Sequence, residues 1–317
     1  MKALVFTAPG TLELLDVPQP EPAPGEVVVE VRAAGICGSE LHGARTPGFR
    51  KPPLIMGHEF AGVTAAGDAV VVNPILSCGH CGPCRRGLRH VCAERQIIGV
   101  HRAGGFAERV AVPASALRPL PPGLPWETAA LIEPAANAVH AWNRASSALG
   151  ADGATGARVG VIGCGAIGLM CVAVALSSGA GRVEVSDLSS ARLAAALRLG
   201  AGAGGPALEG EYDVVIDAVG SAATRAASVA QQRPGGTAIW LGLAGPDPGF
   251  DANALVRSEK RVLGSFAYRD EEFGQAMDLI REWDLTWAAD YPLAAGAEIF
   301  TDLMNGGLQP VKALLRP

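Results

Sequence analysis

The stretch Arg158-Val-Gly-Val-Ile-Gly-Cys-Gly-Ala-Ile-Gly168 decides the fold. Arg158–Ile162 is an apolar run with strand character, and a G-x-G-x-x-G turn follows it without a gap. Leu169 to Ser178 then continues as a small-residue helix. Among 41 glycines such a spacing arises easily by chance, and its place between a strand and a helix gives it meaning. In that setting Gly163, Gly165, Ala166, Ile167 and Gly168 are expected to bring backbone amides and a helix N-terminus against a pyrophosphate. A second strand, Arg182–Ser186, leads into Asp187, nineteen residues after Gly168. That carboxylate suits a ribose diol and repels a 2′-phosphate, so NAD is expected over NADP. Arg192 is the one nearby group that could instead reach such a phosphate. Further strands are predicted at 213–217 and 237–241, with Gly220 and Gly242 just beyond them. The fold class is therefore α/β, built on a doubly wound parallel sheet of the Rossmann kind.

Cysteines supply the next signal. Four of the seven, Cys78, Cys81, Cys84 and Cys92, fall between positions 78 and 92. Two-residue gaps containing Gly or Pro let successive thiolates converge, and four thiolates complete a closed tetrahedral zinc site of the structural kind. A ferredoxin-type run has a three-residue final gap before proline, unlike the seven residues here. With the shell filled by sulfur, His80 and His90 are expected to be solvated. Cys164 and Cys171 need no role beyond packing.

A second metal set is scattered. Cys37 lies in Gly35-Ile-Cys-Gly-Ser-Glu-Leu-His42, and His58 with Glu59 lies in Gly57-His-Glu-Phe-Ala-Gly62. One thiolate, one imidazole and a carboxylate leave zinc a position for water or substrate, as a catalytic site requires. Glu133, in Leu131-Ile-Glu-Pro134, is a carboxylate in an apolar stretch that would be costly to bury without a cation.

These segments, together with Ala130-Leu-Ile-Glu-Pro-Ala-Ala-Asn-Ala-Val-His140, resemble the zinc-dependent medium-chain alcohol dehydrogenase family over nearly the whole chain, most closely its polyol branch of sorbitol, threonine and butanediol dehydrogenases. The resemblance implies catalytic zinc ligands at Cys37 and His58, a third place at Glu133, and Glu59 on zinc or just behind it. It implies two zinc ions per chain. Ser39 and His42 match positions that pass the substrate proton outward; a hydroxyl followed by an imidazole provides such a route. Glu40 stands where the family usually has Asp, orienting the ligand imidazole. Leu243 and the Ser265-Phe266-Ala267 backbone are implied near the nicotinamide, and Lys312 on the pyrophosphate. A discontinuous β-rich GroES-like catalytic domain is implied at 1–135 and 269–317, carrying the zinc lobe at 77–93, around a Rossmann domain at 136–268. The implied activity is hydride transfer between NAD(H) and a secondary alcohol or ketone, in a homodimer or homotetramer.

Composition agrees. The chain has 317 residues, enough for two domains, is 49% hydrophobic and carries a net charge of −5, which argues against a nucleic-acid partner. The apolar run Val159–Leu176 is broken by glycines and is expected to be sheet and helix, not a membrane span. No charged leader precedes a long apolar segment, so a cytoplasmic protein is expected. The segment Ala61–Asp68 leaves little room for a usual hairpin. His101 and Arg102 are candidates to project into a substrate pocket and favour acidic or polyhydroxylated substrates. The rival readings are a zinc-free enone or quinone reductase, which has no use for Cys37, His58 or the cysteine lobe, and a non-catalytic nucleotide-binding protein on the same fold.

Overall fold

The computed structural model describes the chain except residues 47, 49, 151–152, 246–249 and 308–309. It divides into two compact units, Met1–Glu133 with Leu285–Pro317, and Pro134–Asp284. Residues 269–284, expected with the first unit, pack in the second. Helix Asp270–Leu279 holds them there, because its buried Glu272 bonds His140 and Asn143 of helix Ile132–Ala148.

The first unit is built on a seven-stranded sheet. Strand Glu26–Ile36 lies at its centre, flanked by Glu59–Thr64 and Lys312–Arg316, both antiparallel to it. Arg109–Pro113 pairs with the first half of the same strand. Alternating residues such as Val29, Val31, Phe60 and Leu315 bury one face of this sheet in a common core. The second half of Glu26–Ile36 delivers Cys37 immediately beyond its end, and Glu59 begins the neighbouring strand, so two candidate ligands meet at one sheet edge. The Ala61–Asp68 segment does close a hairpin onto Ala69–Val72. Gly67 donates to the Thr64 carbonyl, while Thr64 and Asp68 bond each other through backbone and side chain, which shortens the turn without breaking the ladder.

The second unit carries six parallel strands in the spatial order Ala203–Gly205, Arg182–Ser186, Arg158–Ile162, Tyr212–Asp217, Gln232–Trp240, Arg261–Gly264. Numbered along the chain, this is the 3-2-1-4-5-6 order of a doubly wound dinucleotide-binding sheet. Helix Ala166–Ser177 packs on Arg158–Ile162 and is buried along most of its length. The apolar run at 159–176 is thus a core strand and helix, and among the described residues no helix is long and apolar enough to cross a membrane.

Candidate functional site

Helix Gly38–Arg45 starts on Cys37 as its N-cap. Glu40, at the third helical position, reaches back to accept the Cys37 backbone N–H at 2.9 Å. Its other oxygen accepts the Gly57 N–H and faces His58 Nδ1, each at 2.9 Å. One fully buried carboxylate therefore fixes both the Cys37 turn and the His58 ring, leaving His58 Nε2 for a metal. Cys37, His58 and Glu59 present ligand atoms within 4.8 Å of one another. Burial opposes a charge on His58, but the Glu40 carboxylate and the Cys37 sulfur outweigh it and hold its pKa well above the ordinary value. Burial likewise opposes ionisation of Glu40, and the His58 ring overrides it.

Glu59 is fully buried; its Oε2 meets the Lys312 ammonium, and its Oε1 has no hydrogen-bond donor among the described residues. A buried carboxylate oxygen without a donor, beside a thiolate and an imidazole, is the surrounding that a divalent cation completes. The donor set fits zinc. Glu133 is buried in the first turn of helix Ile132–Ala148, where the helix dipole favours an acid, but it stands outside the Cys37–His58–Glu59 group. Lys312, expected on the cofactor pyrophosphate, is only 5% exposed because strand Lys312–Arg316 runs beside Glu26–Ile36 and turns it onto Glu59. Ser39 and His42 lie one helical turn apart and both are exposed.

Sequence reasoning missed Arg50. It is 4% exposed, donates to the Gly99 carbonyl at 3.0 Å and to the Ser39 carbonyl at 3.4 Å, and lies close enough to Glu40 and Cys37 for their charges to support its own. Nothing in the sequence around Arg50 marks an arginine for burial; only its contacts with the distant Ser39 and Gly99 carbonyls do so. Arg102, by contrast, is ion-paired with Glu26 and also donates to the Ala111 carbonyl. Arg102 is thereby held to Glu26, the first residue of strand Glu26–Ile36, while its backbone carbonyl accepts the Gly99 N–H at 2.9 Å. His101 is exposed and caps its own turn, its Nδ1 accepting the Ile97 N–H at 2.9 Å.

In the cysteine lobe, Cys78–Cys84, Cys81–Cys92 and Cys92–Cys78 sulfur pairs stand 4.0, 3.8 and 3.5 Å apart. Four sulfurs at about 2.3 Å from one ion would stand about 3.8 Å from each other, so the cage is already of tetrahedral zinc size. Backbone N–H groups of Cys78, Cys81 and Glu94 point at the sulfurs at 3.3 to 3.4 Å. Amides of Cys84 and Ala93 pull the Cys81 thiol down to about 6, whereas burial pushes Cys84 up to about 11. His80 is exposed as expected, but His90 is buried in the 3-10 turn Arg89–Val91 that brings Cys92 into the cage.

In the second unit, Gly163 adopts φ +91° and a Cβ there would meet Val219 at 2.5 Å. A Cβ on Gly168 would meet the Gly163 carbonyl at 1.7 Å, which is the close turn-to-helix packing the motif needs. A Cβ on Gly165, at an ordinary φ of −67°, would meet no protein atom within 4 Å. The space in front of Gly165, at the start of helix Ala166–Ser177, is what a pyrophosphate would fill. Asp187 accepts the Cys164 N–H at 2.7 Å and the Ser189 N–H at 2.8 Å, pinning its carboxylate at the end of the second strand. Arg192 is half-buried in the first turn of helix Ser190–Arg198. Leu243 and Phe266 follow the ends of Gln232–Trp240 and Arg261–Gly264 and are 76% and 41% exposed. Leu188 (93%) and Val219 follow two other strand ends in the same way. Exposed apolar side chains gathered at the carboxyl end of a parallel sheet are what a dinucleotide covers. Cys164 and Cys171 are buried, and burial pushes both thiols up to about 12, so they are packing residues.

A cysteine–imidazole–carboxylate group, a zinc-sized cysteine cage and a glycine turn at the end of a parallel strand together define a class of protein. The alcohol dehydrogenase GroES-like domain matches residues 23–122 and the zinc-binding dehydrogenase domain matches residues 166–282. The chain belongs to the zinc-binding alcohol dehydrogenase family, oxidoreductases that act on CH–OH groups with a nicotinamide cofactor. It is 36% identical to the D-altritol 5-dehydrogenase of Agrobacterium fabrum, covering 84% of each chain. To the L-threonine 3-dehydrogenase of Streptomyces avermitilis it is 33% identical, over 91% of this chain and 90% of that one. A zinc-binding dehydrogenase from Sinorhizobium meliloti, solved with NADP, superposes with a TM-score of 0.92 at 29% identity, over 100% of this chain and 99% of the other.

Proposed function

We propose that the chain is an NAD-dependent dehydrogenase that interconverts a secondary alcohol of a polyol-like or amino-alcohol substrate and the matching ketone, in the cytoplasm and as a homo-oligomer. The observation that carries this reading is the Cys37–His58–Glu59 group, gathered within 4.8 Å and organised by Glu40. The substrate class is supported by the altritol and threonine dehydrogenases among the relatives, whose named substrates are a polyol and an amino alcohol.

In this reading Cys37, His58 and Glu59 hold the catalytic zinc, with Glu133 as a further carboxylate available to it, and Cys78, Cys81, Cys84 and Cys92 hold a second, structural zinc. Bound there, the catalytic ion supplies Lewis acidity to the substrate oxygen and NAD supplies the hydride acceptor. Glu40 keeps the His58 ring oriented, and Lys312 balances Glu59. Ser39 accepts the substrate proton and His42, one turn further along the exposed helix face, passes it to water. Gly163, Gly165 and Gly168 with the amides of Ala166 and Ile167 bind the pyrophosphate; Asp187 binds the ribose diol and repels a 2′-phosphate; Leu243 and Phe266 flank the nicotinamide.

The test is a metal analysis joined to a cofactor-reduction screen of zinc-replete protein against polyols, diols and amino alcohols. Two zinc ions per chain are expected, one of them removed readily by chelator together with all NADH formation. A chain that binds only the lobe zinc, or that reduces NAD with no member of the screen, defeats the reading.

A further inference from the structure

A cleft of about 550 Å³ opens in the second unit, formed wholly by that unit's residues. One wall is the face of helix Ile132–Ala148 that carries His140, Asn143, Arg144 and Ser147, positions spaced three and four apart. The opposite face of the helix, with Ala141, Trp142 and Ala145, is buried in the core. Arg261, on the edge strand Arg261–Gly264, and Arg269, at the start of helix Asp270–Leu279, complete the cleft.

The charges in this cleft do not cancel. Glu272 is fully engaged: it accepts His140 Nδ1 at 2.7 Å, the Arg269 N–H at 2.7 Å and Asn143 Nδ2 at 3.1 Å. Glu271 stands 3.9 Å from the Arg269 guanidinium. Two cations remain. Arg261 spends one N–H on the neutral Gly235 carbonyl at 2.9 Å. Arg144 has no hydrogen-bond or ion-pair partner among the described residues, and its Nε is buried without an acceptor. Leaving a buried guanidinium N–H unmet is costly, and in a chain of net charge −5 the acids to meet it were not lacking.

We propose that this cleft is an anion site, taking a phosphate group, free or borne on a small molecule, between Arg144 and Arg261. Guanidinium forks match the oxygens of a phosphate, and the Ser147 hydroxyl, one turn from Arg144 on the same helix face, adds a neutral donor. The volume lies in the range of small-ligand pockets and exceeds what a bare ion needs. It is separate from the glycine turn: Arg261 opens its strand, while the cofactor turns follow the strands' carboxyl ends.

Calorimetric titration of the full chain tests this, with inorganic phosphate in one arm and glycerol 3-phosphate in the other, each with and without NADH to separate the cleft from the glycine turn. A binding event that persists in NADH is expected. Arg144→Gln should weaken it ten- to a hundredfold and Arg261→Gln by a smaller factor, both with unchanged unfolding temperature in the absence of ligand. Tighter binding of the ester than of free phosphate would assign the cleft to a phosphorylated metabolite, and equal binding to phosphate itself. Absence of the NADH-independent event, or equal affinity in wild type and Arg144→Gln, overturns the proposal. So does a dimer in sedimentation that Arg144→Glu dissociates, because the cleft would then be filled by a second copy.

Discussion

Glu40 Oε1 stands 2.9 Å from His58 Nδ1, eighteen residues away in the chain, with Glu40 fully buried and His58 8% exposed. The pair links the N-cap of helix Gly38–Arg45 to the start of strand Glu59–Thr64 and so sets the direction in which His58 Nε2 points. The glutamate orients the imidazole, as the resemblance implied, from a side chain one methylene longer than aspartate. The extra methylene lets one oxygen reach back to the Cys37 N–H while the other serves His58 and Gly57.

Replacing Glu40 by alanine should lower zinc affinity at Cys37–His58–Glu59 by about ten- to a hundredfold, because the ring loses its orienting acceptor. Competition with a chromophoric chelator measures this directly. Lobe zinc should stay in place. Unchanged affinity of the first site would remove Glu40 from its organisation.

Lys312→Met leaves Glu59 buried without a countercharge. Burial alone would lower the Lys312 pKa, but Glu59 and Cys37 raise it, so the ammonium is charged throughout the neutral range. Breaking such a pair costs about 3–5 kcal/mol in metal-free protein. Zinc should recover part of this loss, since a dication can replace the ammonium beside Glu59. Urea unfolding with chelator and with added zinc compares the two; an equal loss in both would show that Glu59 does not face the metal.

Gly165→Ala and Gly168→Ala should separate binding from folding. The Gly165 variant places its methyl in open space at an ordinary φ, so its unfolding temperature should match wild type while NADH affinity falls more than tenfold. At Gly168 the methyl meets a carbonyl at 1.7 Å, and a stability loss of about 3 kcal/mol is expected. Normal NADH binding by Gly165→Ala would move the pyrophosphate elsewhere.

The His140–Glu272 pair predicts an acid limb of stability. Burial would raise the Glu272 pKa, yet the His140 bond and the Arg269 amide carry it below its ordinary 4.5. A depressed carboxylate stabilises the fold above pH 4.5 and loses that contribution as pH falls through the native pKa. Glu272→Gln should therefore be about 2 kcal/mol less stable than wild type at neutral pH, with the gap narrowing below pH 4.5. Denaturant titrations at several pH values check it, and a gap independent of pH would contradict the assignment.

Some of this chain can be read from local order alone. A strand, a glycine turn and a helix in succession specify a dinucleotide-binding unit, since each is set by neighbours within a few residues. The cysteine cage is equally local, its sulfurs all carried between Cys78 and Cys92. Cys37, His58 and Glu59 were legible because their residue types have few other uses in glycine-flanked turns. What only the tertiary structure decided involves partners far apart in sequence. Lys312 lies on the strand that pairs beside Glu26–Ile36, and this neighbour relation sets its ammonium against Glu59. Arg50 became a buried support of the Cys37 turn, and Arg102 was drawn to Glu26 at the start of strand Glu26–Ile36. A charge's partner is settled by which strands and loops pack together, and that information is spread over the whole chain and not held in the residues around the charge.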